Sequence, residues 1–368
     1  MRIEKYFLIL KYIKFLLLFF VFNNALSSPA DSVKKSKIGA LPSCFYTPET
    51  RFGFGVFMYS YFNTDKASII NKKSNAQTYL SYTINKQFSL ENDFQIWLSN
   101  NKFILTGGLN VSRFPEFFYG ISNDTKESDK IMISFDDVKL KSKNLVRLQK
   151  NLYFGCYYQF EKLYNLNNKL KQNMTNMCEL IPGGAGYSAS GTGPIFIYDK
   201  RDNPLNPAKG SYLETSLQHF NKAIGSQYKF TAFIFDVRKY NTLFKKLIWN
   251  GNAYFFFNKG EVPFRMLATI GGARFLRGYY RGRFRDNNMI VLQQEFRMPI
   301  YKWFGLAAFG GVGSVAKVLK DFQKNEIHYN YGFGLRIKIN KKENTNLRLD
   351  YGITKDSQGI YLIFAEAF

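Results

Sequence analysis

Residues Tyr329–Ile339, YNYGFGLRIKI, alternate strictly between two kinds of side chain. Every second residue is aromatic or aliphatic, and the residues between them are asparagine, glycine, arginine and lysine. Because successive side chains of a β-strand point to opposite faces, this pattern predicts a strand with one apolar and one polar face. The same alternation recurs in Thr345–Ile353, in Ala76–Asn85 and, with an exception at Gln294, in Met289–Met298.

The length of the alternating segments favours strands that cross a membrane. A membrane strand needs about nine to eleven tilted residues, whereas strands of globular proteins average nearer five or six, and the segments here match the longer figure. About sixteen of them fit between Arg51 and the end of the chain, and an even number closes without an unpaired edge in lipid. We therefore predict an all-β fold, a transmembrane antiparallel β-barrel of about sixteen strands over residues 51–368. A water-soluble β-sandwich with its apolar face inside is the alternative.

The composition of the 368 residues fits this prediction. Aromatic residues make up 18% of the chain, yet its mean hydropathy is only -0.25, as expected when each strand faces lipid and a polar lumen in turn. The net charge of +24 fits a nucleic-acid binder, a surface for anionic lipid head groups, or a general compositional bias. The basic residues are spread along the whole chain, so we expect outer-membrane lipid as a partner and no nucleic acid.

Residues 1–30 are typical of a secretory signal peptide. Basic residues are followed by a short apolar core, Phe15–Phe22, and by small residues. An uncleaved anchor is the alternative, because Phe7–Phe22 as a whole nearly reaches the length of a spanning helix. Residues 31–50 are polar and are interpreted as a periplasmic linker.

The sequence predicts no catalytic or metal site. The two histidines, His219 and His328, lie outside any recognisable catalytic motif, and the cysteines Cys44, Cys156 and Cys178 have no metal-ligand spacing. Cys156 and Cys178 could pair in an oxidising periplasm, or all three could be thiols without a role. We expect neither enzymatic activity nor a cofactor.

Two segments between strands are distinctive. Residues 198–210, YDKRDNPLNPAKG, contain two prolines and end in glycine, which predicts a tight connection. Residues 271–286, GGARFLRGYYRGRFRD, carry five arginines and four glycines. Their arginines and aromatic residues fit either an RGG-like nucleic-acid segment or a loop that folds back into a polar lumen, where guanidinium groups bind carboxylates.

With these two segments, the C-terminal half resembles the BamA/TamA-type outer-membrane β-barrels, the bacterial surface antigen family. The resemblance rests on the turn at Asp199, Arg201, Asp202, Pro207 and Gly210, on Arg277-Gly278-Tyr279, on residues 294–299, 332–336 and 346–352, and, nearer the N-terminus, on residues 117–121.

The resemblance implies that Arg277 lies on a loop inside the lumen and pairs with acidic residues of the inner wall. Glu295 matches one of these acids, whereas Gly311 stands where the family has an aspartate, so Asp286 and Asp350 are the candidates to replace it. The terminal Phe368, on an apolar last strand, resembles the signal for insertion into the membrane.

The functional expectation follows from the same resemblance. Residues 31–50 leave no room for the periplasmic POTRA modules of the full-length relatives, so the chain is interpreted as a barrel-only member of the bacterial outer membrane. We expect a role in assembling or translocating outer-membrane proteins or lipids; the alternative is a passive pore or a structural surface antigen. The expected partners are outer-membrane lipid, the outer-membrane assembly machinery through the C-terminal strand, and an unidentified periplasmic protein.

Overall fold

A computed structural model describes residues 37–47, 51–64, 73–168, 181–324, 326–340, 344–364 and 366–368. The predicted signal peptide and Cys178 lie outside these residues.

The described chain is almost entirely β-strand, and sixteen strands form one antiparallel sheet. They are β1 (Lys37–Thr47), β2 (Arg51–Phe62), β3 (Ser74–Thr83), β4 (Phe88–Leu98), β5 (Phe103–Phe118), β6 (Ile131–Gln149), β7 (Leu152–Asn168), β8 (Tyr187–Asp199), β9 (Gly210–Phe220), β10 (Phe230–Thr242), β11 (Ile248–Gly260), β14 (Asn288–Tyr301), β15 (Phe304–Ala316), β16 (His328–Asn340), β17 (Thr345–Thr354) and β18 (Gln358–Phe364). Two short strands, β12 (Ala268–Ile270) and β13 (Phe284–Asp286), pair with each other between β11 and β14. Short 3₁₀ helices lie at Glu127–Asp129, Lys222–Ile224, Phe244–Lys246, Phe264–Met266 and Leu319–Gln323.

Each strand of the large sheet pairs with its neighbour in sequence, except that β11 pairs with β14 across the inserted β12–β13 pair. Between β1 and β18, no hydrogen-bonded register is found in the described residues. Within the same residues, no helix is long and apolar enough to span a membrane.

The two faces of the sheet decide between a membrane protein and a water-soluble sandwich. Phe333 and Tyr331 on β16 are 60% and 55% exposed, whereas Arg336 on the opposite face of β16 and Asp350 on β17 are buried. A water-soluble sandwich would place the apolar face inside. The observed inversion is the arrangement of a sheet that faces lipid outside and a polar lumen inside, so the sandwich alternative is wrong.

The predicted strands at the C-terminal end are found with nearly the predicted bounds, but the predicted linker is wrong in part. Residues 37–47, assigned to the linker, form β1 and pair with β2 along their whole length. Pro42 lies in the middle of β1 opposite Val56. Proline cannot donate a ladder hydrogen bond, but an edge strand tolerates it because one side is unpaired.

The connections differ between the two ends of the sheet. At one end, here the short-turn end, the connections described in full are residues 99–102, 150–151, 200–209, 243–247 and 302–303. The opposite end, here the long-loop end, includes the loops 119–130, 221–229 and 261–287. In outer-membrane barrels the short turns face the periplasm and the longer loops face outward.

Candidate functional site

Residues 261–287, here the lumen loop, join β11 to β14 and contain the arginine- and glycine-rich segment. Its apolar side chains pack against the inner face of the sheet: Leu276, Tyr279 and Phe284 are buried together with Val291 of β14 and Val315 of β15. The loop therefore forms an apolar core together with this part of the wall.

Arginines of the lumen loop bind distant parts of the sheet. Arg274 Nη2 lies 3.1 Å from Asp236 of β10, and Arg285 Nη2 lies 3.6 Å from Glu116 of β5. Because β5 and β10 are far apart in the strand order, the sheet curls around the loop. These contacts favour the lumen interpretation of the arginine-rich segment over the nucleic-acid interpretation.

Arg277 occupies a fully enclosed position. Its Nη2 donates to Glu295 Oε2 of β14 at 2.8 Å, and its Nη1 donates to Asp350 Oδ2 of β17 at 2.5 Å. Its guanidinium carbon lies 3.4 Å from the centroid of the Phe309 ring. Charge-assisted hydrogen bonds to two carboxylates and a stacked ring make this a clamp between the loop and the wall.

The second acid of the clamp is Asp350, and not Asp286. Asp286 lies on β13, where it pairs with Ala268. At Gly311, a Cβ atom would lie 2.9 Å from the carbonyl oxygen of Leu292 and 3.0 Å from the Leu276 side chain. Leu276 thus fills the space that an aspartate would need, and β17, two strands away from β15 in the sheet, supplies the carboxylate instead.

The backbone of the clamp requires glycine at two facing positions. Gly278 has a φ of +118°, which L side chains rarely adopt. A Cβ on Gly352 of β17 would lie 2.4 Å from the carbonyl oxygen of Arg277. The loop therefore touches the wall backbone to backbone.

Hydrogen bonds from two strands hold this contact. The Asn330 amide donates to the Arg277 carbonyl at 2.7 Å, and the Gly278 N–H donates to the Tyr361 hydroxyl at 2.9 Å. The Tyr361 hydroxyl in turn donates to the Tyr279 carbonyl at 3.2 Å. Thus β16 and β18 fix the backbone of the Arg-Gly-Tyr motif, while β14 and β17 bind its charge.

Three further arginines extend the clamp into a charge network. Arg336 Nη1 lies 2.6 Å from Asp350 and its Nη2 lies 3.2 Å from Glu295. Arg348 also donates to Asp350, at 2.8 Å. Arg297 Nε lies 3.8 Å from Glu295. Alternation predicts that these arginines lie on the polar face, but alternation alone does not indicate which carboxylate each one binds.

The C-terminal segment enters the same network, which the sequence analysis missed. The carboxylate of Glu366 lies 2.8 Å from Arg336 and 3.4 Å from Arg297, and its backbone N–H donates to the Leu205 carbonyl at 3.2 Å. The last strand ends at Phe364, and Phe368 is buried outside it. Phe368 thus lies outside the last strand, although it was predicted to lie on it, and its role as an insertion signal stays a prediction.

The predicted turn lies between β8 and β9 and is rigidly hydrogen-bonded. Arg201 Nη2 lies 2.8 Å from Asp199, and Asp202 Oδ1 accepts the N–H groups of Ala208 and Lys209. Gly210 has a φ of +114° at the start of β9. The turn also reaches the network, since Arg297 donates to the Pro207 carbonyl.

A polar cavity of about 590 Å³ lies beside the lumen loop. Residues of β3 to β6 and of the loop line it, among them Tyr79, Asp93, Glu116, Lys139, Lys141 and Arg281. Its lining carries both signs of charge together with aromatic rings.

The remaining candidates form no site. His219 lies 3.0 Å from Thr231 on the exposed face, and His328 is buried against Asn123. Cys44 and Cys156 are free thiols. No group of three potential metal ligands occurs in the part of the chain that the structure describes.

Comparison with known proteins identifies the fold. BamA from Haemophilus ducreyi lacking POTRA domains 1–3 has a TM-score of 0.56 and 13% identity over 90% of this chain and 70% of that chain. CdiB from Acinetobacter baumannii has a TM-score of 0.53 and 12% identity over 89% of this chain and 58% of its own. CdiB from Escherichia coli has a TM-score of 0.58 and 8% identity over 92% of this chain and 63% of its own. At these identities the likeness shows the fold alone.

A search of curated protein sequences finds no match. A match of the sequence to a protein-family model assigns the family instead. The Omp85 superfamily domain matches residues 42–364, which include β2 to β18 and most of β1. No POTRA-like domain is present in the described ranges, where every strand belongs to the large sheet or to the β12–β13 pair. The chain therefore belongs to the Omp85 superfamily, as a member whose described part is the barrel-type sheet.

Proposed function

We propose that this chain is a bacterial outer-membrane protein that assists the insertion or translocation of other outer-membrane proteins. The observation that carries the proposal is the Arg277 clamp, which holds the lumen loop against β14 and β17 within an Omp85-type sheet. The exposed apolar face of the sheet supports the membrane location.

The way in which the loop is held supports a role beyond stability. A buried ion pair is weak evidence for stability, because the desolvation of both charges offsets their attraction. Apolar residues could fill the lumen without that cost. A loop held by ion pairs to β5, β10, β14 and β17, with a cavity of about 590 Å³ beside it, suits a lumen that accommodates a polypeptide without losing its walls.

A reconstituted assay tests this function. The full chain is inserted into phospholipid vesicles, and a urea-unfolded outer-membrane barrel protein is added as substrate. We expect folding of the substrate, followed by its heat-modifiable gel mobility, to be faster than in empty vesicles and in vesicles that contain an inert barrel. Equal folding rates in all three would contradict the proposal.

A passive pore is the competing function, and the lumen cavity is the observation in its favour. Planar-bilayer conductance separates the two functions. Steady open currents without any acceleration of substrate folding would favour the pore, whereas acceleration by a chain that conducts only briefly would favour assembly.

A further inference from the structure

The short-turn end of the sheet carries a one-sided charge. Asp202, the acidic residue of the described turns at this end, accepts hydrogen bonds from its own turn, and Arg201 is paired with Asp199. In the turns of this end that are described in full, six lysines are exposed, and none of them forms an ion pair within 4 Å with a described residue. These lysines, here the short-turn rim, are Lys102, Lys150, Lys200, Lys209, Lys246 and Lys302.

The long-loop end differs in its charge. Its lysines alternate with acids and partly pair with them, as Lys130 does with Glu127 at 2.6 Å and Lys355 with Glu326 at 3.6 Å. Further acids there are Asp124, Asp129, Asp321 and Asp356. A general bias of the composition toward lysine would affect both ends alike. The asymmetry therefore points to a partner at the short-turn end.

Backbone hydrogen bonds show that the turns of the rim are neighbours at one level. The Arg147 N–H donates to the Lys102 carbonyl at 2.7 Å, and the Asp199 N–H donates to the Asn151 carbonyl at 2.9 Å. The Lys338 N–H donates to the Trp303 carbonyl at 2.8 Å. The lysines thus follow the edge of the sheet as a band.

Exposed aromatic side chains accompany this band. Four aromatic residues within two positions of Lys102, Lys246 or Lys302 in the sequence are exposed, and Phe244 is exposed at 86%. They are Phe103, Phe244, Tyr301 and Trp303. The ammonium group of Lys102 lies 5.7 Å from the centroid of the Phe103 ring. Aromatic rings gather at the head-group level of a membrane, and lysines extend their ammonium groups toward the same level.

We propose that the short-turn rim binds the phosphate groups of anionic phospholipids in the leaflet that faces this end. This inference rests on the proposed function, because it requires the sheet to span a membrane. An acidic protein would complement the lysines, but it would not account for aromatic side chains that point outward beside them. Each lysine near an anionic membrane surface favours binding by about five-fold.

Quenching of tryptophan fluorescence measures which lipid lies next to the short-turn end. Trp249 near the start of β11 and Trp303 between β14 and β15 lie at the short-turn end and report on lipid there, whereas Trp97 near the end of β4 is buried against Tyr153 and adds a constant background. The full chain is inserted into vesicles of phosphatidylcholine brominated on its acyl chains, mixed with unlabelled phosphatidylglycerol. Phosphatidylglycerol that gathers at the rim displaces the brominated phosphatidylcholine and restores the tryptophan fluorescence. We expect the rim to bind phosphatidylglycerol about five-fold or more tightly than phosphatidylcholine at low salt, and this ratio to fall toward one at high salt.

Two sets of substitutions make the test specific. The triple variant Lys102→Glu, Lys246→Glu and Lys302→Glu should lose the preference. The matched variant Lys222→Glu, Lys320→Glu and Lys324→Glu, which makes the same charge change at exposed residues of the long-loop end, should keep it. Heat-modifiable gel mobility confirms that each variant is folded before it is compared.

Failure of the proposed function and failure of this inference give different results. If brominated phosphatidylcholine alone does not quench the wild-type chain, the sheet does not span the membrane, and both proposals fail. If it quenches, but phosphatidylglycerol shows no preference or both triple variants lose it equally, only the rim proposal is overturned.

Discussion

Two groups of charged residues in the lumen wall differ in how they are bound. On the side of β14 to β18, Arg277, Glu295 and Asp350 are buried and bound to one another. On the side of β3 to β6, Asp93 and Lys141 face the cavity of about 590 Å³, as does Arg281 of the lumen loop. None of these last three forms an ion pair within 4 Å with a residue that the structure describes.

The lumen loop is bound on both sides, since Arg265 and Arg285 also pair with Glu116 of β5, at 2.6 and 3.6 Å. Its cavity side, here the open side, differs in also carrying charged side chains without an ion pair to a described residue. Its Arg-Gly-Tyr motif touches β17 backbone to backbone at Gly352, whereas Arg281, a few residues further along the loop, is exposed to the cavity. Substitutions on the two sides should therefore differ in kind. Those at the clamp should change stability, and those at the cavity should leave it nearly unchanged.

The largest effect is expected for Arg277→Ala. Removing one partner of a buried ion pair leaves an uncompensated charge, which costs about 3–5 kcal/mol. Here Glu295 and Asp350 keep Arg336 as a partner, so we expect the lower part of that range. The measurement is urea unfolding of the protein in lipid vesicles, followed by heat-modifiable gel mobility.

The matched control for this change is Arg281→Ala, which removes the same side chain from the same loop on its open side. It should leave the unfolding midpoint within about 0.5 kcal/mol of the wild type. Equal destabilisation by the two variants would show that the loop is held by its arginines collectively, and the contrast between the two sides would be lost.

A smaller effect is expected for Gly352→Ala. The added Cβ would lie 2.4 Å from the Arg277 carbonyl oxygen and 2.7 Å from the Gly278 nitrogen. Both are backbone atoms, so the loop itself must shift, at a cost of about 1–3 kcal/mol. Gly310→Ala is the control, because the single atom near its Cβ is the Asn330 oxygen at 3.3 Å. The prediction is wrong if both alanines unfold at the same urea concentration.

The sequence predicted the architecture well, because alternation over ten or more residues leaves little freedom in which face a side chain occupies. It also placed Glu295, Arg336, Arg348 and Asp350 on the polar face. It could not choose between Asp286 and Asp350 as the second acid of the clamp, because that choice depends on how the loop crosses the lumen and on Leu276 occupying the space beside Gly311.

Two features were not predicted correctly, the strand at residues 37–47 and the role of Glu366, and each has a physical cause. Residues 37–47 were predicted to be part of a linker because the segment is polar and contains Pro42. Proline is rare in strands, but an edge strand accepts it. The role of Glu366 was missed because the segment up to Phe368 was interpreted as an apolar strand, although alternation puts the Glu366 charge on the same face as Ile360, Leu362 and Phe364. Only the positions of Arg297 and Arg336 across the lumen reveal that it leaves the strand.

The smallest effect is expected on the open side, where Lys141→Gln removes a cation that faces the cavity. With water available and no ion pair to break, the free energy of unfolding should change by less than about 0.5 kcal/mol. Arg348→Gln is the counterpart on the clamp side and should cost about 1.5–3 kcal/mol, because it breaks a charge-assisted hydrogen bond to buried Asp350. Urea unfolding of both variants in the same vesicles provides the comparison. If Lys141→Gln destabilised the chain as much as Arg348→Gln, the cavity wall would be as tightly coupled as the clamp, and the lumen would have no open side.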